Sequence, residues 1–178
     1  MTKLLAFHGD AAIKKKYLAR VRAHAKADQI IKGQYWENGK GCAVGCTVHS
    51  DNHGAYQDEL GIPEWLARLE DTLFEGLPNG HAAKFPAQFL SSIRVGADLE
   101  PVRWKFALIL LAENAERVKA LQIDEALKTQ VLEANEQVRA VNQNAVDTGT
   151  FDESAALSAR SAAYIRYANE LLKLLRKA

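Results

Sequence analysis

Leu127-Lys128-Thr129-Gln130-Val131-Leu132-Glu133-Ala134-Asn135-Glu136-Gln137-Val138-Arg139-Ala140-Val141-Asn142-Gln143-Asn144-Ala145 carries apolar side chains at 127, 131, 134, 138, 141 and 145, in alternating steps of four and three. Such steps return to one face of an α-helix and do not fit the two-residue repeat of a strand. Asp124 stands where an N-cap belongs, so a helix is predicted from Asp124 to about Val146. The same steps recur at Leu157, Ser161, Tyr164, Ala168, Leu171 and Leu175, predicting a second helix from Asp152 to about Arg176. Val146-Asp147-Thr148-Gly149-Thr150 is short enough to fold the two into a long antiparallel hairpin. Thr150 and Glu153 have capping-box spacing, and Lys173, Arg176 and Lys177 complement the dipole at the far end.

Upstream the pattern stays helical. Phe106-Ala107-Leu108-Ile109-Leu110-Leu111-Ala112 is apolar all round and predicts a central buried helix, with Asp98 or Glu100 as its cap and Pro101 in its first turn. Trp104 is expected to anchor the core one turn earlier. A short helix opened by Pro86 is expected between His81 and Gly96, and another from Pro63 to Glu75 with Ile62, Trp65, Leu66, Leu69 and Leu73 on one side. Tyr56 to Leu60 reads as a helical turn ended by Gly61. Asp10 caps a first helix predicted from Ala11 to Ile31, with Ile13, Tyr17, Leu18, Val21 and Ala25 buried and His24 at the core edge. No strand alternation, repeat or low-complexity linker interrupts this reading. The expectation is an all-α, single-domain, multi-helix bundle over residues 1–178, ending in the long hairpin.

At 178 residues, 48% of them hydrophobic and 25% charged, the chain can bury a real core and is not a disordered polymer. A formal net charge of +1 supplies no general attraction for nucleic acid. The lysine-rich first helix (Lys14, Lys15, Lys16, Arg20, Arg22, Lys26, Lys32) is read as a solvated face, and would bind phosphates only in a salt-dependent way. No apolar run approaches a membrane span of about 20 residues, and the start lacks a signal-peptide pattern. A cytoplasmic protein with reduced thiols is expected.

One stretch departs from the helical pattern. Gly39-Lys40-Gly41-Cys42-Ala43-Val44-Gly45-Cys46-Thr47-Val48-His49-Ser50-Asp51-Asn52-His53-Gly54 holds both cysteines of the chain and two of its five histidines. Cys42, Cys46, His49 and His53 fall on one helical stripe. A straight helix cannot bring all four to one metal: at about 1.5 Å per residue its end members stand roughly 16 Å apart, against metal bonds of about 2.0–2.3 Å. A cysteine pair four apart on a helix also has Cβ atoms about 5–6 Å apart, so a disulfide would require non-helical backbone around Gly45. The glycines predict instead a loop through about Gly45, followed by a short helical piece. A bend near Gly45 is then the condition for a shared centre. Tyr35 and Trp36 either roof that centre or pack the loop on the bundle, and Glu59, Glu70 and Asp71 are candidates for outer ligands or general bases whose ordinary fate is exposure.

The run Tyr35-Trp36-Glu37-Asn38-Gly39-Lys40-Gly41-Cys42-Ala43-Val44-Gly45-Cys46-Thr47-Val48-His49, followed by Glu59-Leu60-Gly61-Ile62-Pro63 and Leu69-Glu70-Asp71, resembles a set of bacterial all-α proteins. That resemblance implies a fold and brings no activity with it. More loosely the chain is similar to the all-α peroxidase-reductase family related to carboxymuconolactone decarboxylase, whose redox motif is Cys-x-x-Cys with a nearby histidine. Here three residues separate Cys42 from Cys46 and no matching upstream glutamate stands out, so the family's active-site roles are not transferred.

Two functions follow as expectations. In the first, the helical scaffold holds a metal, zinc by its donor set, on Cys42, Cys46, His49 and His53, with His8, His24, His81 or a carboxylate as possible substitutes. As a thiol centre the same stretch would use Cys46 as nucleophile and His49 or His53 to lower its pKa. In the second, the stretch only shapes a loop, and the chain is a non-catalytic interaction or homo-oligomerisation module using the Ala- and Ser-rich seam of its final hairpin. Neither reading names a small-molecule ligand.

Overall fold

The computed structural model describes residues 3–159 and 161. The protein is all-α, and its contacts gather into two compact units, residues 1–99 and 100–178. The apolar periodicity gives no sign of this division.

The N-terminal unit is built around one short helix that follows the glycine-rich stretch. After a 3-10 turn at Ala6–Gly9 comes α1 (Ala11–Lys26), capped by Asp10, whose Oδ1 accepts from the Ala12 N–H at 2.7 Å. Tyr17 and Val21 form its buried stripe, flanked by partly buried Ile13, Leu18 and Ala25, as the spacing predicts. It ends earlier than the expected Ile31. Asp28 takes a left-handed φ of 54°, which Asp tolerates better than most side chains. Gln29 to Ile31 are then spent on pairing: the Gly41 N–H donates to Gln29 O and the Ile31 N–H to Gly41 O.

That partner lies in a two-residue antiparallel ladder, β1 (Trp36–Glu37) and β2 (Lys40–Gly41), in a region read from sequence as free of strands. Asn38 and Gly39 both have positive φ (50° and 78°), the requirement of a type I′ hairpin turn. The hairpin delivers the chain into α2 (Ala43–Val48), every residue of which is buried. Its neighbours are α1, α3 (Ala55–Leu60), α4 (Glu64–Gly76), α6 (Phe85–Ser92) and β2, so this six-residue helix is the centre of the unit. A four-residue turn, α5 (Asn79–Ala82), leads into α6.

Here the glycine-loop expectation is overturned. Gly45 is inside α2, and the helix begins at Ala43. Glycine is required there because a Cβ on Gly45 would stand 1.5 Å from Tyr35 O. Glycine loses helix propensity (about 1 kcal/mol against Ala), but packing sets the choice. The bend falls at His49, which closes α2 in the left-handed region (φ 56°) with its N–H on Gly45 O at 2.8 Å.

The buried stripe of α4 is Leu66, Ala67, Glu70, Asp71 and Phe74. It is turned about one residue from the expected Trp65, Leu66, Leu69 and Leu73 face, and Leu73 is exposed. Two carboxylates are thereby carried inside.

The second unit pairs α7 (Glu100–Ala120) with α8 (Glu125–Thr148) across a short connection. Asp124 caps α8 through the Leu127 N–H, and Asn135 Nδ2 donates to Leu111 O across the pair. The all-apolar Phe106–Ala112 run is not the buried centre expected: Ile109 and Leu110 are about half exposed. Trp104 stacks on Phe151 at 4.1 Å. The next helical stretch opens on Asp152, whose Oδ1 accepts from the Ala155 N–H, rather than on Thr150. The rest of the predicted last helix, to Arg176, lies outside the described residues. Among the described residues no helix is long and apolar enough to cross a membrane.

Candidate functional site

Cys42, Cys46, His49 and His53 do not share one centre; each has its own set of partners. Cys42 is the N-cap of α2. Its sulfur accepts from the Gly45 N–H at 3.5 Å, and its own N–H donates to Gln34 O at 2.7 Å. Cys46 lies one turn on, its thiol pointed at Gly41 O (3.3 Å) and Gln29 O (3.5 Å). Both thiols are free and buried. Burial pushes Cys46 up to about 11 despite the backbone partner, and Cys42 up to about 12, where the neighbouring Asp71 carboxylate adds to the effect. A thiol held protonated in this way is a poor nucleophile at neutral pH.

The left-handed turn at His49 sends the two histidines to different neighbourhoods. His49 is exposed and stacks on the Trp36 indole at 4.3 Å, while its Nε2 meets His24 Nε2 at 2.8 Å. His24 is held from behind by Gln29 Oε1, 2.7 Å from its Nδ1. Partial desolvation of the stacked ring first, then the Arg20 and His24 charges, lower the His49 pKa, with Glu59 opposing. His53 is buried instead. Its Nε2 lies 3.4 Å from Asp71 Oδ2, and Tyr35 meets its ring edge-on at 5.5 Å.

Cys42, Asp71 and Tyr35 join Gly33, Gln34 and Glu75 around a cavity of about 350 Å³. Both Glu75 oxygens accept from the Gly33 N–H at 3.1 Å, fixing one wall. Asp71 Oδ1 is buried and has no hydrogen-bond partner. Behind it Glu70 is fully enclosed, accepting from Tyr56 OH at 2.7 Å through Oε2 while Oε1 is unpartnered. Burial, reinforced by the Asp71 charge, raises the Glu70 carboxyl to about 8. Glu70 and Asp71 were expected as exposed carboxylates and are the most enclosed acids of the unit. The available signal was their position: Leu66 and Phe74 stand four residues either side of Glu70, and Ala67 four before Asp71, so both fall on an apolar stripe. Glu59, by contrast, is exposed and takes a hydrogen bond from Tyr17 OH.

Among the described residues, no three His, Cys, Asp or Glu side chains are placed to hold a metal ion together. No known protein family, curated protein or solved structure matches the chain.

Proposed function

We propose that the N-terminal unit is a ligand-binding module whose site is the cavity walled by Gly33, Gln34, Tyr35, Cys42, Asp71 and Glu75, and that its ligand is a small organic cation, an ammonium or guanidinium. The observation carrying this reading is Asp71, a wall carboxylate whose Oδ1 is buried without a hydrogen-bond partner while the side chain keeps 13% of its surface open. Leaving such an oxygen unpaired costs roughly 1–3 kcal/mol or more, and a cation seated against the open edge of the same carboxylate would offset that cost by charge attraction. The second charged wall residue, Glu75, is also acidic, and no Lys or Arg is among the wall residues. Half-exposed Tyr35 offers a π face of the kind that attracts cations. The volume suits a small molecule, being near the lower end of the roughly 300–1,000 Å³ usual for ligand pockets.

This reading keeps Cys42 and His53 of the four residues singled out from sequence, as a protonated thiol and the imidazole that holds Asp71. It gives Cys46 and His49 no part. The test is thermal unfolding and calorimetric titration of the untagged chain with propylammonium, guanidinium and butyrate. Binding of a cationic probe with a raised Tm is expected, with no response to butyrate and loss of the response in Asp71→Asn. Failure of both cations to bind, or an undiminished response in Asp71→Asn, would overturn it.

A further inference from the structure

The motif's other histidine, His49, is not among the wall residues of that cavity, and its pairing with His24 carries an inference that does not depend on it. His24 comes from the last turn of α1 and His49 from the end of α2, and their rings approach edge-on with centroids 5.0 Å apart and Nε2 atoms 2.8 Å apart. Each ring is clamped from elsewhere. Gln29 Oε1 sits 2.7 Å from His24 Nδ1, and Gln29 is itself fixed by backbone bonds to His24 O and from Gly41 N–H. Trp36 lies flat on His49, 12° from parallel, and edge-on to His24 at 5.4 Å. His49 is further held by its left-handed backbone. The amide oxygen of Gln29 takes the Nδ1–H of His24, which leaves His24 Nε2 as a lone pair aimed at His49. With no cation present, His49 Nε2–H donates to it.

We propose that His24 and His49 form a two-imidazole chelate for a late divalent transition metal that accepts donors at a right angle, Cu²⁺ or Ni²⁺, with water filling the remaining positions. Two nitrogens 2.8 Å apart, each about 2.0–2.1 Å from a metal, subtend roughly 85° at it once both rings tilt off the hydrogen-bond line, whereas a tetrahedral ion would need them about 3.3 Å apart. The right angle belongs to tetragonal and octahedral coordination, the geometries of copper(II) and nickel(II) with nitrogen and oxygen ligands. The metal takes the place of the bridging proton, and His49 then carries its proton on Nδ1, so that both ligands remain neutral imidazoles. His49 is exposed and His24 part-exposed, which lets solvent complete the shell. The clamping by Gln29 and Trp36 supplies the outer support that orients ligating histidines. Arg20, whose Nη1 is bonded to Thr47 O, and the Glu59 carboxylate are the charged groups that act on His49, one against the cation and one for it.

The test uses the full chain without an affinity tag and the metals alone. Electron paramagnetic resonance of the Cu²⁺-loaded protein is expected to show an axial spectrum with hyperfine splitting from two nitrogens. Calorimetry is expected to give Ni²⁺ binding at least as tight as Zn²⁺, the reverse of a tetrahedral site. His24→Gln and His49→Asn should each weaken Cu²⁺ binding by roughly tenfold or more, because each removes one arm of a chelate, and should leave a one-nitrogen spectrum. Asn is chosen at 49 because it tolerates the left-handed backbone. If either variant fails to fold by circular dichroism, the nitrogen count and the Ni²⁺/Zn²⁺ order on the unaltered chain still decide. Zn²⁺ binding more tightly than Ni²⁺, or copper binding indifferent to both substitutions, would overturn the assignment.

Discussion

Glu70→Gln is the substitution whose consequence follows most directly from the structure. Glu70 is fully buried, bonded only to Tyr56 OH, and next in sequence to the Asp71 charge; its carboxyl is raised from 4.5 to about 8. An unfolded chain releases that proton near pH 4.5, while the folded one keeps it until about 8. Between these values the native state binds more protons than the unfolded state, so stability must fall as pH rises. The contribution is whole below about pH 4.5, lost progressively up to about 8, and level above it. At about 1.4 kcal/mol for each unit of displacement, the ceiling is roughly 5 kcal/mol, comparable to the total stability of a small domain. Glutamine keeps the shape of the protonated carboxyl and cannot ionise, so the wild-type minus Glu70→Gln stability difference isolates this one group from every other titration. Urea unfolding between pH 5 and 9 measures it, in a Trp104→Phe background so that Trp36 and Trp65 report on the N-terminal unit. The wild type should lose several kcal/mol relative to the variant across that range, and the Glu70 carboxyl carbon resonance should titrate near pH 8. A stability difference constant with pH would refute the enclosed-carboxyl reasoning.

Gly45→Ala should prevent or severely weaken folding, because its new methyl would stand 1.5 Å from Tyr35 O and 2.6 Å from the same carbonyl carbon; a loss of roughly 3 kcal/mol or more is expected from such overpacking, against a gain of about 1 kcal/mol in helix propensity. Urea unfolding followed by circular dichroism decides which wins, and an unchanged midpoint would show that the hairpin is not seated as described. Gly61→Ala should also destabilise, its Cβ being 2.3 Å from Leu5 O at a φ of 61°. Both thiols should resist iodoacetamide at pH 8 and react together once urea unfolds the chain, since both are buried and raised to about 11 and 12. Rapid alkylation of one equivalent in the folded protein would mark a reactive thiol and contradict that environment.

Much of the helical content was legible because it rests on local rules. Asp10 and Asp124 cap the helices they were assigned to, Gly61 closes α3, and the 127–145 stripe lies in α8. What was illegible depends on contacts distant in sequence. The end of α1 is set by Gly41, far downstream, which recruits Gln29 and Ile31 before the helix could run to its expected length. The Asn38-Gly39 turn was a local signal that went unread because the strands on either side are only two residues long, too short for an alternation to register. Burial of Glu70 and Asp71 runs against the strong tendency of carboxylates to stay wet, and only the apolar spacing around them points the other way. The helix of Phe106–Ala112 errs in the opposite sense: uniform hydrophobicity says that a helix wants cover on all sides, not that the fold provides it.

The glycines and cysteines of the central motif are better explained by close packing than by a common ligand. At both Gly41 and Gly45 a Cβ would collide with one oxygen, Tyr35 O, at 2.0 and 1.5 Å. A single carbonyl thus fixes the spacing of two glycines four apart, and any side chain at either would pry the hairpin from α2. Cys42 and Cys46 bracket Gly45 and fill fully buried positions with small, weakly polar groups whose sulfurs satisfy backbone partners at Gly45, Gly41 and Gln29. Serine there would demand stronger hydrogen bonds, and valine would bring branching against the same tight backbone. The four-residue spacing that suggests shared coordination is therefore the spacing of one helical turn pressed against a hairpin. Chemistry enters where that packing stops: at Cys42, whose cap position opens on the Asp71 cavity, and at His49, where the left-handed residue turns an imidazole out toward His24. Helix geometry keeps these ends apart, so the two ligand sites proposed for them should load independently. Occupancy of one by guanidinium should leave the copper affinity of the other unchanged, and mutual exclusion in a calorimetric competition would refute that independence.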